Sequence, residues 1–286
     1  MENLIISADA SSDLTGELIN QYNISIAPFE YYVNAYSYNT KTNKMTAKQF
    51  YDNMKNGADV KTSQINYQEA KGYIEKLLKT GKDVFHICFS SGLSGTYDNF
   101  ERASKELSNQ YSNKCIVIDS LCAAAGGALL AVLVAKKVMN EKIDLEELEK
   151  YANELKYRIN HIFTVDDLKY LVKGGRVSKG SAMIANILHI KPILNVDNNG
   201  KLAVTNKIFS RKLAIKKIFD KMESNYDIQY KDILISHADS EKDAKTLKTM
   251  IEQKYDANIT IVPLDFVIGC HSGPGTLALF YVGDKR

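Results

Sequence analysis

VFHICF at residues 84–89 leads directly into SSGLSGT at 90–96, and residues 97–110 then follow a helical pattern. An apolar run of this length, bounded by turn residues, is typical of a buried strand. A strand followed at once by a helix is the repeating unit of a parallel sheet. The stretch therefore predicts an α/β fold in which the Ser-Gly turn lies at the carboxyl end of a strand.

The same alternation of strand and helix extends over the first half of the chain. Strands are predicted at 4–7, 24–29, 84–89 and 116–119, and helices at 47–56, 68–80, 97–110 and 123–140. We expect residues 1–160 to form an N-terminal domain, a parallel sheet with helices on both faces. Asp144 and Glu147 form a capping-box pattern. The helix that they open should run to about Asn160 and join this domain to the next.

The pattern changes after residue 160. DNNG at 197–200 separates runs at 192–196 and 201–208, which predicts a hairpin, and such a short turn can join only antiparallel strands. Further helices are predicted at 166–173, 179–188, 211–223 and 241–254, and strands at 233–237, 259–262 and 277–282. Residues 161–286 should therefore form a second α/β domain with antiparallel pairing. A chain of 286 residues is also long for a single core.

Composition excludes several classes of protein. The net charge of +3 is spread over interspersed acidic and basic residues, which favours neither a disordered chain nor a partner nucleic acid. The apolar run at 121–135 is too short for a membrane span, so we expect a buried helix there. Four cysteines without a Cys-x-x-Cys pair argue against a metal site and against disulfides. With no signal-peptide pattern at the start, we expect a cytoplasmic protein.

Three apolar runs end in hydroxyl residues and glycine. These runs are 85–89 before SSGLSGT, 161–164 before GGR at 174–176, and the strand-like 266–268 before GCHSGPGT at 269–276. Hydroxyls and free backbone N–H groups at a strand-to-helix turn bind anions, and ligands lie beyond the carboxyl ends of parallel strands. Each turn alone is more often a helix cap or a bend. Together they predict a site for a carboxylate or a phosphate.

Eight segments make the whole chain resemble the DegV family of bacterial fatty-acid-binding proteins. The matching segments are IISADASSDL (5–14), TSQ (62–64), SSGLSGT (90–96), VIDS (117–120), VDDLKYL (165–171), GGR (174–176), IKPIL (190–194) and GCHSGPGT (269–276). The resemblance implies a two-domain DegV-like α/β fold with a lipid site at the domain interface. It also implies binding of a long-chain fatty acid. Some members of the family are the binding subunit of the bacterial fatty acid kinase.

The resemblance assigns roles to individual residues. Thr62 and Ser94 match the residues that bind the fatty-acid carboxylate in the family, and Ser63 and the Gly95 amide are further donors. His271 is expected to donate to the carboxylate or to an acyl phosphate. Arg176 is expected to face the partner kinase and the phosphoryl group. The residues predicted for the tail pocket would equally suit an ordinary core: Phe163, Ile184, Ile187, Leu188, Ile193 and Phe266.

The expected role is that of an acyl carrier rather than an enzyme. About fifteen buried methylenes could contribute roughly 12 kcal/mol gross, so the tail gives affinity and the head group gives orientation. The chain has no phosphate-binding loop and no kinase motifs, so a kinase subunit must supply ATP. The acyl phosphate would feed phospholipid synthesis, and an acyltransferase and a transient membrane-surface contact complete the expected partners. We expect no cofactor besides the bound fatty acid.

Two alternatives remain open from the sequence. An acyl hydrolase or transferase would use Ser94 or Ser91 as nucleophile, with His271 or His86 as base. The Ser-Gly turn lacks the Gly-x-Ser-x-Gly pattern of a nucleophile elbow, which disfavours this hypothesis. A lipid sensor would have the same pocket without accepting a phosphoryl group.

Overall fold

The computed structural model describes residues 3–177 and 190–286, and its strands and helices alternate along most of the chain. The strands are β1 (Leu4–Asp9), β2 (Ile24–Ala27), β3 (Glu30–Val33), β4 (Tyr36–Asn39), β5 (Val60–Thr62), β6 (Asp83–Cys88), β7 (Cys115–Asp119), β8 (Ile159–Thr164), β9 (Lys191–Val196), β10 (Leu202–Ile208), β11 (Asp232–His237), β12 (Asn258–Pro263) and β13 (Leu277–Val282). The helices are α1 (Gly16–Tyr22), α2 (Ala47–Lys55), α3 (Tyr67–Leu78), α4 (Thr96–Leu107), α5 (Ala125–Asn140), α6 (Leu145–Leu155), α7 (Lys169–Lys173), α8 (Arg211–Glu223), α9 (Glu241–Glu252) and α10 (Phe266–Ser272).

The first sheet is parallel throughout, as predicted. Its strand order is β2-β1-β6-β7. Val84 and Cys88 of β6 pack with α3 and α4, whereas Phe85 and Ile87 pack on the other face with α5. This alternation along one strand places helices on both faces, and it leaves the Ser-Gly turn at the carboxyl edge of the sheet.

The second sheet is mixed and mainly antiparallel. Its order is β10-β9-β8-β13-β11-β12, and only β11 and β12 are parallel. The predicted hairpin joins β9 to β10, and Gly200 takes a φ of +71° in its turn. The antiparallel pairing predicted for the second half is therefore confirmed.

Helix α5 lies between the two sheets and contacts strands of both. Every residue from Ala125 to Ala135 is buried, which explains why this stretch is apolar on all sides. The core around α5 joins Ile6 of β1 to Phe163 of β8 and Phe280 of β13. Among the described residues, no helix combines the length and apolarity that a membrane crossing requires.

Two local predictions require correction, and a third lies outside the described residues. Residues 266–268 belong to helix α10 rather than a strand, because Asp265 caps the helix by accepting the Val267 N–H at 2.8 Å. Helix α6 ends at Leu155, since the apolar residues from Ile159 onward pair in the second sheet as β8. Residue 160, after which the second domain is predicted to begin, lies in β8. The helix predicted at 179–188 lies outside the described residues.

A third, small sheet was not predicted. Its strands β4, β3 and β5 have three or four residues each, and all pairs are antiparallel. Tyr31 of β3 is fully buried against Phe50 and Phe266. This sheet places Thr62, the last residue of β5, next to α10.

Candidate functional site

A cavity of about 280 Å³ lies where the carboxyl edge of the parallel sheet meets the small sheet, α10 and the second sheet. Its volume is close to the lower end, about 300 Å³, of ordinary small-molecule sites. Residues of both predicted domains line it, among them Thr62, Ser94, Phe163 and His271. The polar group of its wall consists of Thr62, Ser63, Gln64, Ser94, His161, Arg176, His271, Ser272 and Thr276.

Thr62 and His271 are the centre of this polar group. Thr62 Oγ1 and His271 Nε2 are 2.8 Å apart, which joins the small sheet to the last turn of α10. Burial and the nearby Arg176 guanidinium lower the pKa of His271 to about 4. The imidazole is therefore neutral at pH 7, and its hydrogen bond with Thr62 orients a hydroxyl at the cavity wall.

The Ser-Gly turn contributes Ser94 and Gly95, which precede helix α4. Ser94 Oγ lies 2.9 Å from Thr96 Oγ1 and accepts the Thr96 N–H at 3.3 Å. A Cβ on Gly95 would lie 2.6 Å from Gln64 Oε1, so glycine allows the Gln64 amide to cover this turn. Gln64 follows Ser63, and both line the same cavity beside Thr62.

The other two serines of the turn have structural partners. Ser90 is fully buried and donates to the Gly200 carbonyl at 2.8 Å, which fixes the turn against the β9–β10 hairpin. Ser91 donates to Asp119 at 2.5 Å. Neither lies among the described cavity residues, so Ser94 is the serine of this turn that faces a ligand.

The Gly-Gly-Arg turn closes the polar group from the other side. A Cβ on Gly174 would lie 2.4 Å from His271 Nδ1, so only glycine permits the observed imidazole position. Arg176 is half-buried, lines the cavity and donates to the Gly174 carbonyl. Among the described lining residues, Arg176 is the only lysine, arginine, aspartate or glutamate.

The rest of the wall is largely apolar. The described apolar lining residues are Phe29, Phe89, Leu93, Ala123, Ala124, Phe163, Leu171, Val196, Leu202, Leu264, Val267, Ile268, Ala278 and Phe280. Phe163 is thus on the wall. Phe266 instead packs between Tyr31 and Phe50, and Ile193 lies in the core beneath α8. Ile184, Ile187 and Leu188 lie outside the described residues.

Sequence reasoning does not single out four polar residues of the wall, which are Gln64, His161, Ser272 and Thr276. Gln64 belongs to the TSQ segment, and Ser272 to the GCHSGPGT segment, so the motifs alone could have indicated them. His161 is buried, accepts the Ala123 N–H at 3.2 Å, and has its pKa lowered well below the usual value, chiefly by burial. Nothing in the sequence distinguishes this histidine from an ordinary core residue.

The serine-histidine pairs of the hydrolase hypothesis do not occur among the described hydrogen bonds. His271 bonds Thr62, and His86 Nδ1 lies 3.0 Å from Ser7 Oγ in the interior of the parallel sheet. Ser91 bonds Asp119 instead. No predicted serine therefore has a predicted histidine as its base.

In the part of the chain that the structure describes, one group of residues of metal-ligand type occurs, and its members are not among those that line the cavity. Asp9, His86 and Cys88 place one ligand atom each within 4.8 Å of one another, and all three are buried. Asp9 already accepts the N–H groups of Ser11 and Phe89. Its carboxylate therefore joins the turn that follows β1 to the backbone directly after β6.

Comparison with known proteins places the whole chain in one group. The model of the DegV family, described as "Uncharacterised protein, DegV family", matches residues 3–284. A DegV domain-containing protein of Clostridium perfringens is 33% identical over 289 residues, which cover 100% of this chain and 99% of that protein.

Solved structures agree with this relationship. A DegV lipid binding protein from Thermotoga maritima superposes with a TM-score of 0.85 at 27% identity, covering 99% of both chains. DegV from Bacillus subtilis, described as a fatty acid binding protein, has the same TM-score, identity and coverage. Because the family model and these relatives span nearly the entire chain, the protein belongs to the DegV family.

Proposed function

We propose that this protein binds one long-chain fatty acid, with the carboxylate at the polar group and the hydrocarbon tail along the apolar wall. The observation that carries the proposal is a single cavity whose hydroxyls, imidazole and guanidinium adjoin a wall of phenylalanine and aliphatic side chains. Relatives described as lipid or fatty acid binding proteins support the same ligand class. The predicted domains 1–160 and 161–286 would then hold the ligand between them.

The hydrogen-bond donors of the cavity wall favour an anionic head group. Arg176 supplies the only formal charge among the described lining residues at neutral pH, since His271 is neutral. Thr62, Ser63 and Ser94 can donate hydroxyl hydrogens, and the Gly95 amide lies at the N-terminus of α4. A carboxylate has only acceptor atoms, so these donors suit it.

The finer role is that of an acyl carrier in the cytoplasm. A kinase subunit would bring ATP and phosphorylate the bound carboxylate, and the protein would pass the acyl phosphate to an acyltransferase at the membrane surface. Arg176 suits this step because a guanidinium at the rim can stabilise charge on a transferring phosphoryl group. Burial of the head group would protect the acyl phosphate from water.

Native mass spectrometry of the purified protein is expected to show one fatty acid per chain. The apolar wall gives a long-chain acid a slow dissociation rate, because each buried methylene contributes about 0.8 kcal/mol. Organic extraction followed by gas chromatography would identify the acid. Protein that is isolated empty and then fails to take up palmitate or oleate would refute the proposed ligand.

Thr62→Ala and Ser94→Ala are each expected to weaken oleate binding about tenfold, since a hydrogen bond to a charged group contributes roughly 1.5–3 kcal/mol. Fluorescence titration with a displaced probe measures this. Ser91→Ala is the matched control, because the same turn carries this hydroxyl but Asp119 binds it. A double variant that binds as tightly as the parent would mean that the carboxylate is held elsewhere.

A further inference from the structure

Helix α10 presents two adjacent polar residues to the cavity. Val267, Ile268, His271 and Ser272 of this helix all line it, and residues four apart lie on the same side of a helix. Ser272 therefore continues the side of Ile268, next to the side that carries His271. Both polar residues lie in the last turn of α10, and both line the cavity.

The Ser272 hydroxyl has no hydrogen-bond partner among the described residues, although the side chain is only 4% exposed. A serine inside a helix commonly donates to the carbonyl four residues earlier, but Ser272 does not. Buried hydroxyls without a partner are rare, and each calls for an explanation. The position of this one, on the wall of a ligand cavity, supplies the explanation.

The buried hydroxyl of Thr276 behaves differently from that of Ser272. Thr276 also lines the cavity and is 2% exposed, but its Oγ1 donates to the Gly273 carbonyl at 2.8 Å. Its hydroxyl therefore stabilises the loop after α10. The Ser272 hydroxyl, by contrast, donates to no described group of the protein and is available to a ligand.

We propose that the Ser272 hydroxyl donates a hydrogen bond to the fatty-acid carboxylate, as a ligand contact additional to those of Thr62 and Ser94. The inference rests on the proposed function, because it needs a fatty-acid carboxylate at the polar group of the cavity. It adds a donor from α10, whereas Thr62 comes from the small sheet and Ser94 from the turn before α4. The head group would then be held from three separate elements.

Ser272→Ala tests this inference through oleate affinity and melting temperature, which we expect to respond differently. Oleate affinity should fall about tenfold, whereas the melting temperature of delipidated protein should stay the same or rise, because the substitution removes an unpartnered buried hydroxyl. Ser272→Cys should lose affinity to a similar extent, since a thiol has nearly the same size but is a weak donor. The ¹³C resonance of bound [1-¹³C]oleate should shift in both variants.

Ser104→Ala is the control, because Ser104 is buried outside the cavity and donates to the Cys115 carbonyl at 2.6 Å. It should lower the melting temperature and leave oleate affinity within twofold. If Ser272→Ala follows this control pattern, or leaves the carboxylate resonance unchanged, Ser272 is a structural residue and the inference is wrong. If the parent protein binds no oleate, the proposed function fails and the inference falls with it.

Discussion

Arg176→Ala is expected to lower kinase-dependent acyl phosphate formation about 1,000-fold while oleate affinity stays within about threefold. Arginines that stabilise a transferring phosphoryl group are worth roughly 10³- to 10⁵-fold in rate. Arg176 is the only formal charge of the described wall, whereas hydroxyls and the neutral imidazole can hold the carboxylate without it. The assay combines lipid-loaded protein, ATP and the fatty acid kinase subunit of the same organism, with acyl phosphate trapped by hydroxylamine.

The matched control is Lys173→Ala, because this nearby lysine is exposed and pairs with Asp59 at 2.9 Å outside the cavity. It should change neither binding nor turnover. Loss of oleate binding in Arg176→Ala would place the guanidinium in the carboxylate site itself. No change in either measurement would mean that the Gly-Gly-Arg turn only supports the position of His271.

Ala278→Phe is expected to weaken oleate binding about 100-fold. Ala278 lies on β13, opposite Phe163 of β8, and both line the cavity. A benzyl group there would take the space of about four methylenes, and at about 0.8 kcal/mol each this removes roughly 3 kcal/mol of binding. Decanoate, which has a shorter tail, should keep its affinity within about threefold.

Isothermal titration with both acids measures this change in chain-length selectivity. Ala278→Gly, which adds no volume, should bind oleate within about threefold of the parent. The melting temperature of Ala278→Phe shows whether overpacking destabilises the fold. Equal loss for oleate and decanoate in a folded variant would contradict a tail that runs past β13.

The sequence determines the sheets well where local patterns are strong. The VFHICF strand and the DNNG hairpin are confirmed because apolar runs, turn residues and helical spacing agree within one short window. The small sheet is hard to predict because its strands have only three or four residues and contain polar residues, although their tyrosines and valines suit a strand. The three apolar residues at 266–268 fit either a strand or a helix, and only the cap at Asp265 indicates the helix.

The polar residues of the site can be predicted from the sequence more easily than the apolar residues. Thr62, Ser94 and His271 lie in turn motifs that a sequence displays directly, and the structure brings them to one cavity. Apolar residues have no comparable sequence motif, because a core and a lipid tunnel use the same side chains. Phe266 and Ile193 were therefore assigned to the tail pocket although both pack in the core.

The position of β13 has a consequence for synthesis on the ribosome. This strand follows all the others in the chain, yet it lies between β8 and β11 in the middle of the second sheet. Until it leaves the ribosome, β8 and β11 lack their shared neighbour and one side of α5 stays uncovered. While residues 141–276 are being synthesised, the nascent chain therefore has this apolar helix without the last strand that covers it, and exposed apolar surface of this kind favours aggregation and chaperone binding.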